Sequence, residues 1–262
     1  MTALTRSPLL SSVQNALRIL NLFSPQTKEL SLAEIASQTG INKSSVHRLL
    51  THLEEEGFVE KDNVTRRYRL GLSLLQLSGV VLSHLEIHHA AKHDLELLAE
   101  KTGKYAHLGI IENGELVYLR KIEGKEPITL TSFIGRSNPA YCTGCGKIIL
   151  AYQPEIAATV IEKGLTKYGP HCITDPDQLR SDLERIAVQG FAICVDEIYE
   201  GVISIAAPVR DFTGNVIAGI SVVGLKHQFK QNEIAETIPL VVNAGWSISN
   251  QLGYHEGFFN FS

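Results

Sequence analysis

Residues 30–62, LSLAEIASQTGINKSSVHRLLTHLEEEGFVEKD, leave the chain few ways to fold. Ser31 with Glu34 three positions on is a capping box, so a helix starts there. Gly40 ends that helix by accepting the left-handed conformation. Asn42 is a good N-cap for a second helix, which Gly57 closes. In the second helix Val46, Leu49, Leu50 and Leu53 recur at i, i+3, i+4 and i+7 and form one apolar stripe. The opposite face carries Ser44, Arg48 and Thr51, with Ser45 and His47 at its shoulders and Lys43 at the helix start. A small, polar, cationic face suits a helix lying in a DNA major groove. An ordinary helical hairpin with a solvated outer face is the competing reading.

The flanking residues extend the pattern. Residues 12–23 read as a helix with Val13, Ala16, Leu17, Leu20 and Phe23 on one face. Residues 58–61, a turn at Asp62-Asn63 and residues 64–70 read as a hairpin, which after a helix-turn-helix is a wing. Alternation places Tyr68 and Leu70 on one side and Arg67 and Arg69 on the other. With Arg66 near the tip, three arginines could meet phosphates or a minor groove. The alternative is an edge hairpin with solvated charges. Glu54, Glu55 and Glu56 would be repelled by phosphate, so the second helix should enter the groove by its N-terminal half. Residues 1–71 hold nine Lys/Arg against seven Asp/Glu, a balance of +2, although the whole chain is at −4. A mildly basic head on an acidic body fits a DNA-binding part joined to something that is not one.

Residues 72–85, LSLLQLSGVVLSHL, read as a linker helix apolar on more than one side, which needs more than one partner and suggests a dimer seam. Residues 86–101 form a further helix ending at Gly103. From Tyr105 the period changes to strands. YAHLGIIE, the turn Asn113-Gly114 and ELVYLRKIE are a strong hairpin signal. ITLTSFIG (128–135), FAICVD, VISIAAPVR and VIAGISVVG read as further strands. Helices are expected from Cys145 to Tyr152, from Pro154 to Lys163, after Asp175-Pro176 as far as Gly190, and over residues 230–252 with a break near Pro239. The fold class is therefore α+β: an N-terminal winged helix-turn-helix, a linker helix and a mainly antiparallel sheet flanked by helices, GAF/PAS-like. The expected boundaries are a disordered arm at 1–11, the winged helix-turn-helix at 12–71, the linker at 72–88, a sheet-and-helix domain at 89–254 and a tail at 255–262.

Some functions find little support. No apolar run reaches the roughly 18–20 residues of a membrane span, and the N-terminus lacks a signal peptide's apolar core. Four cysteines, Cys142, Cys145, Cys172 and Cys194, do not make a disulfide scaffold, so a reducing cytoplasm is expected. Gly146-Lys147 is not a phosphate-binding loop, since Tyr141 and Ile148 occupy the flanking motif positions. Gly219-x-Ser221 lacks the second glycine of a nucleophile elbow, because Val223 stands there. No catalytic triad assembles, and neither an enzyme nor a cofactor is expected. His84, His88, His89 and His93 have helical i, i+4 spacing but no HExxH order, and read as polar or interface histidines.

Many pieces in one order carry a resemblance over nearly the whole chain: SVQNALRILNLF, LSLAEIASQTGINKSSVHRLL, GFVEKD…RYRLG, HLGIIENGELVYLRKIEG, TGCGK, ITDPDQLRSDLERI, GFAI and GV…AAPVRD…GNVIAGISV. With these the chain resembles the isocitrate-lyase-regulator (IclR) family of bacterial transcription factors. GRSNPAYCTGCGKIILA and ISNQLGYH are similar to the family's sugar-acid regulators of the 2-keto-3-deoxygluconate-responsive type. The resemblance implies a homodimer or homotetramer binding a palindromic operator in double-stranded DNA, under control of a small carboxylate effector. It also implies DNA contacts from Lys43, Ser44, Ser45, His47, Arg48, Thr51, Arg66, Arg67 and Arg69. Carried over by position, the effector pocket would be formed by Gly144, Cys145, Cys194, Asp196, Val202, Ser204 and Ser221. Amides at the start of the helix after Thr143 suit an anion. The chain departs from the family in having Cys194 where an acidic residue is usual, Ser204 where cysteine is common and Val223 where a second serine is frequent. A metal- or thiol-based sensor using Cys142, Cys145 and Cys194 is the alternative function, although a zinc signature would need a second cysteine pair.

Overall fold

The computed structural model describes residues 8–24, 26–83, 86–125, 134–135, 137–230 and 232–255. The chain divides into two compact units, Met1–His84 and Leu85–Ser262.

The first unit contains α1 (Pro8–Leu20), α2 (Leu32–Thr39), α3 (Lys43–Glu55), β1 (Val59–Lys61), β2 (Tyr68–Leu70) and α4 (Ser73–Ser83). Its core is Ile19, Leu30, Ile35, Val46, Leu50, Val59 and Tyr68. The capping box at α2 forms as expected: Glu34 N donates to Ser31 Oγ and Ser31 N to the Glu34 carboxylate at 2.7 Å. Gly40 caps α2 in the left-handed conformation, and the Asn42 side chain accepts from Ser45 N at 2.8 Å to start α3.

Three expectations are corrected here. The helix of α1 starts at Pro8, so residues 8–11 are helical rather than part of a disordered arm. Its inward face is also rotated: Ile19 is fully buried, whereas Val13 and Leu17 are exposed. Arg18 explains the rotation. Its Nη2 donates at 2.7 Å to the Thr39 carbonyl at the C-terminal end of α2, where the helix dipole favours a cation. The wing is shorter than expected. Only residues 68–70 pair with β1, and residues 62–67 form a loop pinned by Asp62, whose carboxylate accepts from Val64 N and Thr65 N.

The second unit contains α5 (Glu86–Thr102), β3 (Tyr105–Glu112), β4 (Glu115–Ile122), β5 (Ser137–Pro139), α6 (Gly144–Tyr152), α7 (Pro154–Glu162), α8 (Pro176–Gln189), β6 (Ala192–Val195), β7 (Val202–Arg210), β8 (Val216–Leu225) and α9 (Glu233–Gln251). The strands form one antiparallel sheet in the order β5-β4-β3-β8-β7-β6. The hairpin at Asn113-Gly114 takes positive φ at both residues, 54° and 86°, as a tight two-residue turn requires. Of the strand expected at 128–135, residues 128–133 lie outside the described residues and Ile134-Gly135 form a turn. The edge strand is instead the proline-ended Ser137–Pro139, where a missing ladder donor is tolerated. Pro239 lies inside α9, which runs on through it.

The sheet's two faces bury different helices. Ala91, Leu95 and Leu98 of α5 and Val241 and Ile248 of α9 meet Leu108, Ile205 and Ile220. Cys145, Ile148 and Ile149 of α6 and Leu179 and Ile186 of α8 meet Leu116 and Ala206 on the other face. The start of α6 is drawn in very close. A Cβ on Gly146 would lie 2.1 Å from the Ala140 carbonyl oxygen, and one on Gly219 would lie 2.8 Å from that of Cys145.

Candidate functional site

Each unit presents one group of residues suited to recognition. In the first, the N-terminal half of α3 is the polar surface the sequence suggested. Lys43, Ser44, His47 and Arg48 are exposed, and Ser45 and Thr51 are half-buried. The Ser44 hydroxyl donates to the Asn42 cap at 2.9 Å, and Thr51 Oγ1 donates to the His47 carbonyl at 3.0 Å. Lys43 and Arg48 have no side-chain partner among the described residues. Val46 and Leu50 anchor the reverse side.

The three wing arginines are not equivalent. Arg67 Nη2 lies 2.8 Å from the Glu34 carboxylate and also donates to the Glu29 carbonyl at 3.3 Å. Arg69 chelates Glu60 through Nε at 3.0 Å and Nη2 at 2.8 Å. Arg66 sits at the tip with φ +58°, exposed and without an ion pair among the described residues. Glu34 thus both caps α2 and holds the wing. The Ser31 amide and hydroxyl, with Arg67, lower its pKa to about 2.

In the second unit, sheet register brings distant residues onto one face. Cys194 pairs with Ser204, Ser204 with Val223, and His107 with Ser221. These side chains, together with Val202, face the start of α6 across a cavity that encloses about 40 Å³. Thr143 caps α6 by accepting from Gly146 N at 3.2 Å. Cys145 Sγ donates to Ser221 Oγ at 3.2 Å. Gly144 lies so close to β7 that a Cβ there would fall 2.4 Å from Ser204 Oγ. Of the seven pocket residues expected, Gly144, Cys145, Cys194, Val202, Ser204 and Ser221 line this cavity.

Asp196 does not. Strand β6 ends at Val195, and Asp196 takes φ +57°, which breaks the alternation that would have aimed it beside Cys194. Its carboxylate instead accepts from Gly201 N and pairs with Lys226 Nζ, each at 2.6 Å. Glu197 takes the place on the cavity wall. Sequence reasoning also missed His107, Tyr118, Asn138 and Tyr199, and named Cys142 only for the thiol-sensor alternative. His107 and Tyr118 occupy ordinary strand positions, and only cross-strand register brings them to the wall, with ring centroids 5.1 Å apart. His107 is buried and neutral: burial, reinforced by Lys121, lowers its pKa to about 3.

The cysteines are chemically quiet. All four are buried free thiols. Burial pushes Cys145 up to about 12 and raises Cys142 and Cys194 as well, so the nucleophilic thiolate is suppressed. Among the described residues no group of three or more His, Cys, Asp or Glu side chains is placed to hold a metal ion. His88 lies against Arg120, whose Nη2 is 3.1 Å from its Nε2; His89 and His93 are exposed, and His84 lies outside the described residues. No described helix is long and apolar enough to cross a membrane.

A winged helix-turn-helix carried in one chain with a sheet unit that holds a mostly apolar cavity edged by a few polar groups is the architecture of a transcriptional regulator. Residues 12–63 match the IclR helix-turn-helix domain, and residues 79–250 match the bacterial transcriptional regulator IclR C-terminal domain. The HTH-type transcriptional regulator XynR of Escherichia coli is 34% identical over 94% of this chain and 99% of its own length. The regulator KdgR of the same organism is 28% identical over 94% of this chain and 95% of its own. The crystal structure of the Thermotoga maritima IclR superposes with a TM-score of 0.77 at 29% identity, covering 94% of this chain and all of that one. An IclR homologue from Microbacterium hydrocarbonoxydans, crystallised with 4-hydroxybenzoate, has the same fold with a TM-score of 0.82 at 24% identity. The chain belongs to the IclR family of DNA-binding transcriptional regulators.

Proposed function

We propose that this regulator is a cytoplasmic repressor that binds a palindromic operator as a homodimer or homotetramer and is released by a small organic acid. The effector class is a sugar acid or 2-keto acid of carbohydrate catabolism. The observation that carries the effector reading is the cavity at the start of α6. There a capped helix N-terminus meets the hydroxyls of Ser204 and Ser221 with no side chain on Gly144 to block the approach. Helix amides and hydroxyls are the donors a carboxylate needs. The cavity, about 40 Å³, has room for only a few waters, so an organic acid would enter only if lining side chains move outward. Such movement is the differential contact that couples a ligand to a conformational equilibrium.

DNA reading is assigned to Lys43, Ser44, Ser45, His47 and Arg48 in the groove, with Thr51 at the limit, and to Arg66 at the phosphates. Arg67 contributes by holding the wing in shape, and Arg69 is engaged in its exposed pair with Glu60. A thermal-shift screen of 2-keto acids and sugar acids on the full chain tests the effector reading, since a ligand of the native state raises its apparent stability. A stabilising acid should also lower operator affinity in fluorescence anisotropy. A screen without stabilisation, or a stabilising acid that tightens operator binding, would overturn the effector class or the repressor role respectively.

A further inference from the structure

Lys147 is the largest fully buried side chain among the described residues, and neither DNA reading nor the cavity wall uses it. It extends from the first turn and a half of α6 and is 1% exposed. Its Nζ lies 2.6 Å from Glu197 Oε2 and 2.8 Å from Asp182 Oδ2 on α8. Asp182 is also paired with Arg185, one helical turn on. Glu197 is 8% exposed and is the one carboxylate on the cavity wall among the described residues; no lysine or arginine joins it there.

The groups facing Glu197 are Lys147 from α6, Asp182 from α8, Cys194 from β6 and Cys142 from the turn before α6. Burial holds the Cys194 thiol protonated, and it lies beside the Glu197 carboxylate. A buried carboxylate without a counter-charge takes up a proton rather than bear the desolvation cost. Here burial dominates and raises Glu197, with Asp182 adding to it, while Lys147 and the thiol pull it part of the way back. Removing Lys147 would leave Glu197 beside Asp182 with like charge and only the Cys194 thiol to oppose burial.

We propose that Lys147 is a positioning residue that keeps Glu197 ionised and facing the cavity, so that the site accepts a hydrogen bond from a ligand hydroxyl and rejects a second carboxylate. The preferred effector is then a polyhydroxylated monoacid: its carboxylate meets the α6 amides and serine hydroxyls, and a hydroxyl meets Glu197. This rests on the cavity being the effector site.

D-gluconate and D-glucarate are suitable probes, because they share a six-carbon chain and differ in whether its far end is a hydroxymethyl group or a carboxylate. Calorimetry on the full chain should show gluconate binding more tightly by about tenfold or more, since like-charge juxtaposition costs several kcal/mol. Glu197→Gln should bring the two affinities together. Lys147→Met, which keeps the apolar stem, should do so at about pH 6 and restore the preference at about pH 8, where an unpaired carboxylate re-ionises. A ligand-free measurement stands beside these. In glutamate-13C-labelled wild type, the resonance lost in Glu197→Gln should be that of a carboxylate across the same range. A protonated Glu197 in wild type, or a gluconate preference that survives Glu197→Gln, overturns the role given to Lys147 and Glu197 and leaves the effector reading standing. Failure of both acids to bind wild type overturns the sugar-acid reading itself, and the specificity role with it.

Discussion

His107 is buried to 1% and stays neutral because the cavity wall cannot solvate its charge. Its pKa is near 6.5 in the unfolded chain and about 3 in the native one. Between those values the unfolded state binds the extra proton, so stability is intact above about pH 6.5 and falls as pH drops towards 3. Thermal unfolding of the second unit should follow that limb, and His107→Asn should flatten it. An unchanged profile would mean that another group drives the acid sensitivity. The wing arginines make a second residue-scale prediction. Arg66→Ala should reduce the salt slope of operator binding by about one, the loss of one phosphate contact. Arg69→Ala breaks only its exposed pair with Glu60 and should leave that slope alone. In the helix, Arg48→Ala should cost roughly 1–3 kcal/mol if Arg48 reads a base edge. Sequence alone ranks the three wing arginines together, because alternation reports a face and says nothing of the carboxylate waiting on it. Glu34, already engaged as a cap, is the partner that separates Arg67 from Arg66.

Among the elements, those with local signals were readable in advance. The α2 capping box, the Asn42 cap, the Asn113-Gly114 turn and the Asp175-Pro176 start of α8 each depend on neighbours within a few positions. The misses have longer-range causes. The rotation of α1 follows from Arg18 reaching the end of α2, and the exchange of Asp196 for Glu197 follows from one left-handed residue after β6. His107 and Tyr118 reach the cavity only through register with strands far along the chain. The approach of α6 to β7 supplies the element-scale prediction. Gly144→Ala would place a Cβ 2.4 Å from Ser204 Oγ, so the hydroxyl must turn away or the helix must retreat. Overpacking of this kind costs about 1–3 kcal/mol. The variant should fold with a lower Tm and lose stabilisation by any acid that stabilises the parent, while binding operator normally. Full retention of ligand stabilisation would place the ligand elsewhere.

For the whole molecule, an overall charge of −4 means that DNA affinity must come from a local surface rather than a global field. If a dimer neutralises about six phosphates, log K should fall with log[salt] at a slope near −5. Footprints should show two half-sites about 34 Å apart, or a multiple of that. Leu72, Leu75, Leu77 and Val80, on and beside α4, are all more than half exposed in the single chain, a large apolar cost in water. Sedimentation should therefore find a dimer or larger species at micromolar concentration, and a monomer would remove the reason for a palindromic operator. The sheet carries one more consequence. Its central ladder joins β3 to β8, so Tyr105 meets Val223. The second unit cannot close on the ribosome until nearly the whole chain has been made, whereas the first, with its own core, is complete by residue 83. At bacterial synthesis rates of about 5–20 residues per second, that gap is on the order of ten seconds. During it a nascent chain already holds a folded DNA reader and does not yet have the sheet unit whose cavity the effector reading concerns.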